Sequence, residues 1–363
     1  MALIKPLKDF LDSNEISYEV IEHGVHNNSI DLAHELGLQP SQWLRSVILE
    51  GDNKTYMAVL PASYLFDYEV AKRLLEQDIK VAYGAARQNY YKDCQPGSEP
   101  AVPELYGHIG IIDESVNKME TVYIDSGSAD ASVKVTGSDC QKLFASCETM
   151  SFACGADKLY SGRNAQQELA DTVNQFTPIR IKQRIDETFD LPAMPDIAQD
   201  IMKLRVDPSA DAKKLGQIVA KDPSLAAQII SWASSPYYGY KGTIDSVETA
   251  ISRVLGFDLV MNLALGISIG KSLNVSDDGP LGVTSFWRQA VYSASLVEKL
   301  CMKIGPKQRP ERGLAYLSGL LHNFGHLLLG HLFPPQFLLV NRYIEANPGI
   351  KVEDIEHFVI GVT

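Results

Sequence analysis

Over the first 155 residues the apolar positions follow two different periods. Residues 4–12 fit one face of a helix, whereas 17–21 alternate so that Tyr18 and Val20 share a side, the signature of a strand. Ser29 is placed to cap a helix that stops at Gly37. Two β-rich runs, 44–49 and 56–60, flank Gly51-Asp52-Asn53, which predicts a hairpin. Residues 79–83, 108–112, 121–124 and 133–135 supply the remaining strands. Residues 94–103 carry too many prolines for a central strand and predict a loop. Residues 1–156 therefore form a mixed α/β domain.

Polar residues dominate 157–178, including Gly162, Arg163, Asn164 and the pair Gln166-Gln167, and this stretch is assigned as a linker. Beyond it the strand period disappears. Ile181, Ile185 and Phe189 recur on one helical face that ends before Pro192, and Ile197, Ile201 and Leu204 form a second stripe. Asp222-Pro223 is an N-cap followed by a first-turn proline, predicting a helix with Leu225, Ile229 and Ile230 inward. Asp245 and Glu248 form a capping box for a helix ending at Leu255-Gly256, and Asp258 caps the next. Residues 179–363 read as an all-helical domain.

Composition places the chain among globular proteins: 45% of its 363 residues are hydrophobic and 21% charged. Charge is unevenly distributed. The total is −12, and residues 1–160, with 13 Lys+Arg against 24 Asp+Glu, carry −11 of it. That argues against nucleic acid as a partner. Asp9, Asp12 and Glu15 occupy the place of a signal-peptide core, and the longest apolar stretch, 314–333, is broken by His322, Asn323, His326 and His331. Neither an export signal nor a membrane span is expected. Five cysteines without a CxxC pair indicate incidental thiols and a reducing, cytoplasmic setting.

The N-terminal half resembles the YbaK/ProX family, whose domains hydrolyse mischarged aminoacyl-tRNA. The resemblance rests on Ser29-Ile30-Asp31-Leu32-Ala33-His34-Glu35-Leu36-Gly37, Trp43-Leu44-Arg45-Ser46-Val47-Ile48-Leu49, the Gly/Pro loop, Ile111-Ile112-Asp113-Glu114-Ser115, and Tyr123-Ile124-Asp125-Ser126-Gly127. It implies an editing pocket at Arg45, Gly97, Asp113, Ser126 and Gly127. Arg45 stands where the family has its signature lysine, and the family's glycine-rich loop is reduced to Gly97 followed by Ser98, Glu99, Pro100 and Ala101. A planar guanidinium is a poor substitute for a mobile ammonium. Pro100 removes an N–H donor, and Glu99 adds negative charge where an anionic tRNA end would approach. The pocket therefore reads as vestigial, with Arg45 as a surface or salt-bridged residue at a strand start.

The C-terminal half resembles the HDOD domain, a relative of metal-dependent HD phosphohydrolases found in bacterial signalling proteins. Leu191-Pro192-Ala193-Met194-Pro195, Lys221-Asp222-Pro223-Ser224-Leu225-Ala226, Ser234-Ser235-Pro236-Tyr237-Tyr238-Gly239, 250–256, Phe286-Trp287-Arg288 and Gly319-Leu320-Leu321-His322-Asn323-Phe324-Gly325 carry it. The resemblance implies a domain that is incomplete at its C-terminus. It also implies that the HD metal positions fall at Gln289, His322 and Asn323. Two neutral amides there remove an imidazole and a carboxylate that a divalent cation would need. His322, His326 and His331 could otherwise be ligands, but they read as buried, hydrogen-bonded structural residues. The stretch 222–235 contains no arginine, which argues against a DNA-reading helix. Trp232, Tyr237, Tyr238 and Tyr240 form either an interaction patch or a cap on the core.

Together these features predict a non-catalytic signalling protein. Its HDOD module would bind a protein partner, and its YbaK-like domain would sense a small ligand or a partner. No cofactor and no metal are expected. A second reading is an aminoacyl-tRNA deacylase in which Arg45 does the lysine's work, and a third is a metal-dependent phosphohydrolase.

Overall fold

The computed structural model describes residues 3–26, 28–52, 54–155, 195–305, 308–310 and 312–361. The expected linker and the stripe of Ile181, Ile185 and Phe189 lie outside them. The chain divides into two compact units. One comprises Met1–Arg180 with Leu339–Thr363, and the other Ile181–Leu338.

Among the described residues ten strands build the first unit: β1 (Tyr18–Glu22), β2 (Leu44–Gly51), β3 (Lys54–Pro61), β4 (Leu65–Phe66), β5 (Lys80–Val81), β6 (Ile109–Asp113), β7 (Thr121–Asp125), β8 (Ala131–Thr136), β9 (Glu148–Met150) and β10 (Ala153–Cys154). The expected hairpin forms, with Leu44 opposite Pro61 and Gly51 opposite Lys54. The principal sheet runs β5-β2-β3-β6-β9, beside a three-stranded sheet β1-β8-β7 and a two-stranded sheet β10-β4. Side chains alternate across the principal sheet. Leu44, Ile48, Met57, Val59 and Ile112 fill a core on one face, while Val47, Leu49, Tyr56, Ala58, Leu60 and Ile111 fill another. Burial on both faces explains why β2 and β3 read as continuous apolar runs.

The second core also contains Tyr343, Ala346 and Ile355. They belong to helix Pro334–Ala346 and helix Val352–Ile360. The end of the chain thus completes the face of β2 on which Arg45, Val47 and Leu49 alternate.

Among the described residues the second unit contains helices and no strand. Helix Phe257–Lys271 is its centre, buried from Leu259 through Ser268. Helices Val283–Lys303 and Arg312–Leu321 pack closely where Gly319 meets Ala294, since a Cβ at Gly319 would stand 2.7 Å from the Ala294 Cα. Asp222 caps helix Pro223–Ala233 by accepting from the N–H groups of Ser224 and Leu225, as expected.

Several local expectations shift. Asn28, rather than Ser29, caps helix Ser29–Glu35 by accepting from the Asp31 N–H at 2.8 Å. Ser246, rather than Asp245, caps helix Val247–Ala250. Asp258 caps nothing, because Gly256 with φ +86° already turns the chain into the next helix. Leu225 and Ile229 are buried as expected, Ile230 packs partly buried against the same core, and Ala233 joins the buried stripe. The strand expected at 79–83 shortens to Lys80–Val81.

Candidate functional site

Arg45 is the second residue of β2, and Ser46 is the third. Both line a cavity of about 310 Å³ together with Arg87, Gly97, Glu99 and Asp125. Glu345, Pro348 and Gly349 from the end of the chain line it too.

Arg45 is neither a surface residue nor salt-bridged. Its Nη1 donates to the Ala346 carbonyl at 2.7 Å, and its Nη2 donates to the Tyr64 carbonyl at 3.0 Å and to Asn347 Oδ1 at 2.7 Å. All three acceptors are neutral. Burial, and then the charge of Arg87, lower its pKa to about 9, which still leaves a cation at neutral pH. Asn347 is fully buried and matches the backbone of β4 on both sides. Its Oδ1 accepts from the Phe66 N–H at 2.7 Å, and its Nδ2 donates to the Phe66 carbonyl at 3.1 Å. Tyr343 adds a 2.6 Å hydrogen bond from its hydroxyl to Asp67 Oδ1. Arg45 therefore acts as a tie between the five-stranded sheet and residues 339–361.

Glu99 does not face the cavity as a bare charge. It is buried, its Oε2 lies 3.3 Å from Arg87 Nη2, and its Oε1 accepts from the Gly97 N–H at 3.0 Å. Arg87 also donates to the Ser46 carbonyl at 3.0 Å and lies over the Tyr91 ring. Gly97 has φ +86°, a conformation that favours glycine. Asp125, at the end of β7, accepts from Trp43 Nε1 at 3.2 Å. Burial, reinforced by Glu99, raises its pKa to about 7.

The structure brings Arg45 and Gly97 together but gives the other expected pocket residues different work. Asp113 is the buried last residue of β6, where its Oδ1 takes the Ser115 N–H and hydroxyl of the following turn and its Oδ2 takes the N–H groups of Phe152 and Ala153. Ser126 donates to the Ala131 carbonyl at 2.7 Å. Gly127 pins the Gly/Pro loop from behind, donating to the Ser98 carbonyl and accepting from the Gln95 N–H. A Cβ there would stand 2.5 Å from Ile4. Arg87, Asp125 and residues 345–349 were missing from the sequence-based site. Asp125 lies inside the Tyr123–Gly127 motif, whereas no local signal links 345–349 to β2.

In the helical unit Gln289 and His322 are exposed. His322 is thus not buried, although its Nδ1 is 2.7 Å from the Gly319 carbonyl. His331 Nδ1 accepts from the Asn274 N–H at 3.0 Å. Among the described residues no cluster of His, Cys, Asp and Glu could hold a metal ion. Trp232 and Tyr238 pack partly against the helical core while Tyr240 is exposed, so the aromatic loop divides between the two expected roles; the Tyr237 side chain lies outside the description. No helix among the described residues is long and apolar enough to cross a membrane.

This pairing of an editing-type sheet with a helical unit agrees with two family models. The model of the HDOD domain matches residues 191–363, and that of the aminoacyl-tRNA editing domain matches residues 25–143. A solved structure from Marinobacter aquaeolei VT8, described as a "Putative signal transduction protein", is 34% identical over 99% of this chain and 78% of its own, with a TM-score of 0.73. The chain belongs to the HDOD-domain proteins and carries an aminoacyl-tRNA editing domain ahead of that module. An HDOD domain protein of unknown function from Geobacter sulfurreducens is 21% identical over 52% of this chain and 61% of its own, with a TM-score of 0.39. A "putative trans-editing enzyme for prolyl tRNA synthetase" is 16% identical over 42% of this chain and 96% of its own, with a TM-score of 0.37. No curated protein matches.

Proposed function

We propose that the protein is a non-catalytic regulator of bacterial signal transduction, in which the editing-type domain senses a ligand or partner and the HDOD module engages another protein in the cytoplasm. The observation that carries this reading is Arg45. At the position of the family's lysine, the side chain holds the Ala346 and Tyr64 carbonyls and the Asn347 amide, so two of its three acceptors come from the end of the chain. A group committed to structure in this way is not free to work on an ester. The description of the 34% identical relative as a signal transduction protein favours the same reading. Neutral amide at Asn323 and exposed Gln289 weigh against phosphohydrolase chemistry.

Deacylation is the direct test. Mischarged aminoacyl-tRNA incubated with the full chain should lose its amino acid no faster than it does spontaneously. Acceleration that disappears in Arg45→Ala would establish the deacylase instead.

A further inference from the structure

Helix Val283–Lys303 turns one row of apolar side chains away from the helical core. Phe286, Ala290, Ala294 and Cys301 are buried on its inner side. Tyr292, Leu296 and Leu300 follow one another at four-residue spacing and are 71%, 58% and 57% exposed. At 3.6 residues per turn that spacing stacks them in a single seam about 12 Å long. Isolated apolar side chains are ordinary on a surface, whereas a contiguous row marks a contact face. Arg288 precedes the row by one turn, and Lys299 and Lys303 lie along its edge; all three are exposed. Past the end of the helix, Arg309 is held in place by donating to the Met302 and Ile304 carbonyls, each at 3.1 Å. Glu298, the only acidic residue of the helix, is buried. The exposed charge of this helix is therefore all positive.

We infer that this seam docks an amphipathic helix of a partner protein, one whose apolar residues recur at three- and four-residue spacing and whose flanks carry aspartate and glutamate. The inference rests on the regulatory reading above and gives its helical module a surface and a partner class. Charge selects the occupant. If two copies paired through the seam, antiparallel helices would bring Arg288 toward Lys299 and Lys303 of the second copy, and parallel helices would bring each cation toward its own equivalent. Like charges oppose both arrangements. A lipid surface rewards a broad apolar face, whereas this row is one side chain wide and matches the i, i+4 ridge over which another helix packs. Carboxylates on the flanks of such a helix would meet the cations along the edge while its apolar residues cover the row. The seam belongs to the helical unit and the acidic residues 1–160 to the other, so the two surfaces select partners of opposite charge.

The test titrates the full chain into fluorescent synthetic helices of about 20 residues, long enough to be helical in isolation. One has leucines at i, i+4 and i+7 with glutamates on the flanks, a twin has lysine in place of every glutamate, and a third has glutamine in place of every leucine. By anisotropy the acidic helix should bind about tenfold or more tightly than either control. Leu296→Glu should weaken it about thirtyfold, the effect of losing a central contact. Arg288→Glu combined with Lys303→Glu should reverse the preference, so that the lysine twin becomes the tighter ligand. All three positions are exposed, and an unchanged melting temperature separates lost docking from lost folding. In the unmodified protein the acidic helix should shift the methyl resonances of Leu296 and Leu300, a readout that needs no variant. The inference is overturned if the acidic helix does not bind, if its lysine twin binds equally well, or if Leu296→Glu changes nothing. It is overturned equally if anionic phospholipid vesicles capture the unmodified chain but not Leu296→Glu, or if the chain sediments as a dimer that Leu296→Glu splits. Absence of helix binding without tRNA turnover would remove this surface and leave the regulatory reading in place. Turnover would refute that reading whatever binds.

Discussion

Arg45 serves acceptors in three places because its guanidinium is a planar fork, and an ammonium on a flexible stem cannot reproduce that geometry. Restoring the family's residue should therefore loosen the protein. Arg45→Lys should cost about 1–3 kcal/mol in the docking of residues 339–361, the usual penalty for leaving buried acceptors unanswered. Faster amide exchange and earlier proteolysis in that segment would register it, and unchanged exchange would contradict the assigned tie. Asp125 carries a different consequence. Burial and Glu99 lift its pKa to about 7, so the fold keeps a proton that the unfolded chain has already released in the ordinary carboxylate range. Its contribution to stability is complete below the unfolded pKa and is lost as pH rises through about 7. Thermal unfolding followed between about pH 5 and about pH 8 should show this loss, and Asp125→Asn should flatten the curve. A variant with the same slope as the parent would assign the dependence elsewhere.

Elements were legible in the sequence where their causes are local. The hairpin follows from two apolar runs around Gly51-Asp52-Asn53, and helix Pro223–Ala233 from Asp222 followed by proline. Asp222→Ala removes that cap, together with a 2.7 Å ion pair to Lys271, and should lower stability by about 1–2 kcal/mol. Chemical denaturation of the helical unit can measure the change; a value near zero would show that the proline alone starts the helix. Strand β4 was not legible. Its two residues pair with β10 and with the Asn347 side chain, 281 residues away from Phe66, so nothing in the local pattern marks it. The site divides in the same manner. Arg45 and Gly97 came from motifs, but Asp113, Ser126 and Gly127 shared those motifs for reasons of turn geometry and loop support. The walls at Glu345, Pro348 and Gly349 arise only from tertiary contact.

At the scale of the whole molecule, charge separates the two ends of the sequence. With −11 of the net −12 in residues 1–160, long-range attraction favours a basic protein partner and weakens with salt. A pull-down with the full chain should recover such a partner at low ionic strength and lose most of it at high ionic strength; capture that is indifferent to salt would point to an apolar surface instead. The tie at Arg45 also bears on synthesis. Its partners Ala346 and Asn347 lie 301 and 302 residues further along the chain. A ribosome adding about 5–20 residues per second takes roughly 15–60 s to cover that interval. Throughout it the nascent sheet displays Val47, Leu49, Phe66 and Tyr68 without Tyr343 or Ile355 to cover them. Residues 44–68 thus stay without that cover until residues 343–355 have been translated, so this core closes by a contact between distant stretches of chain.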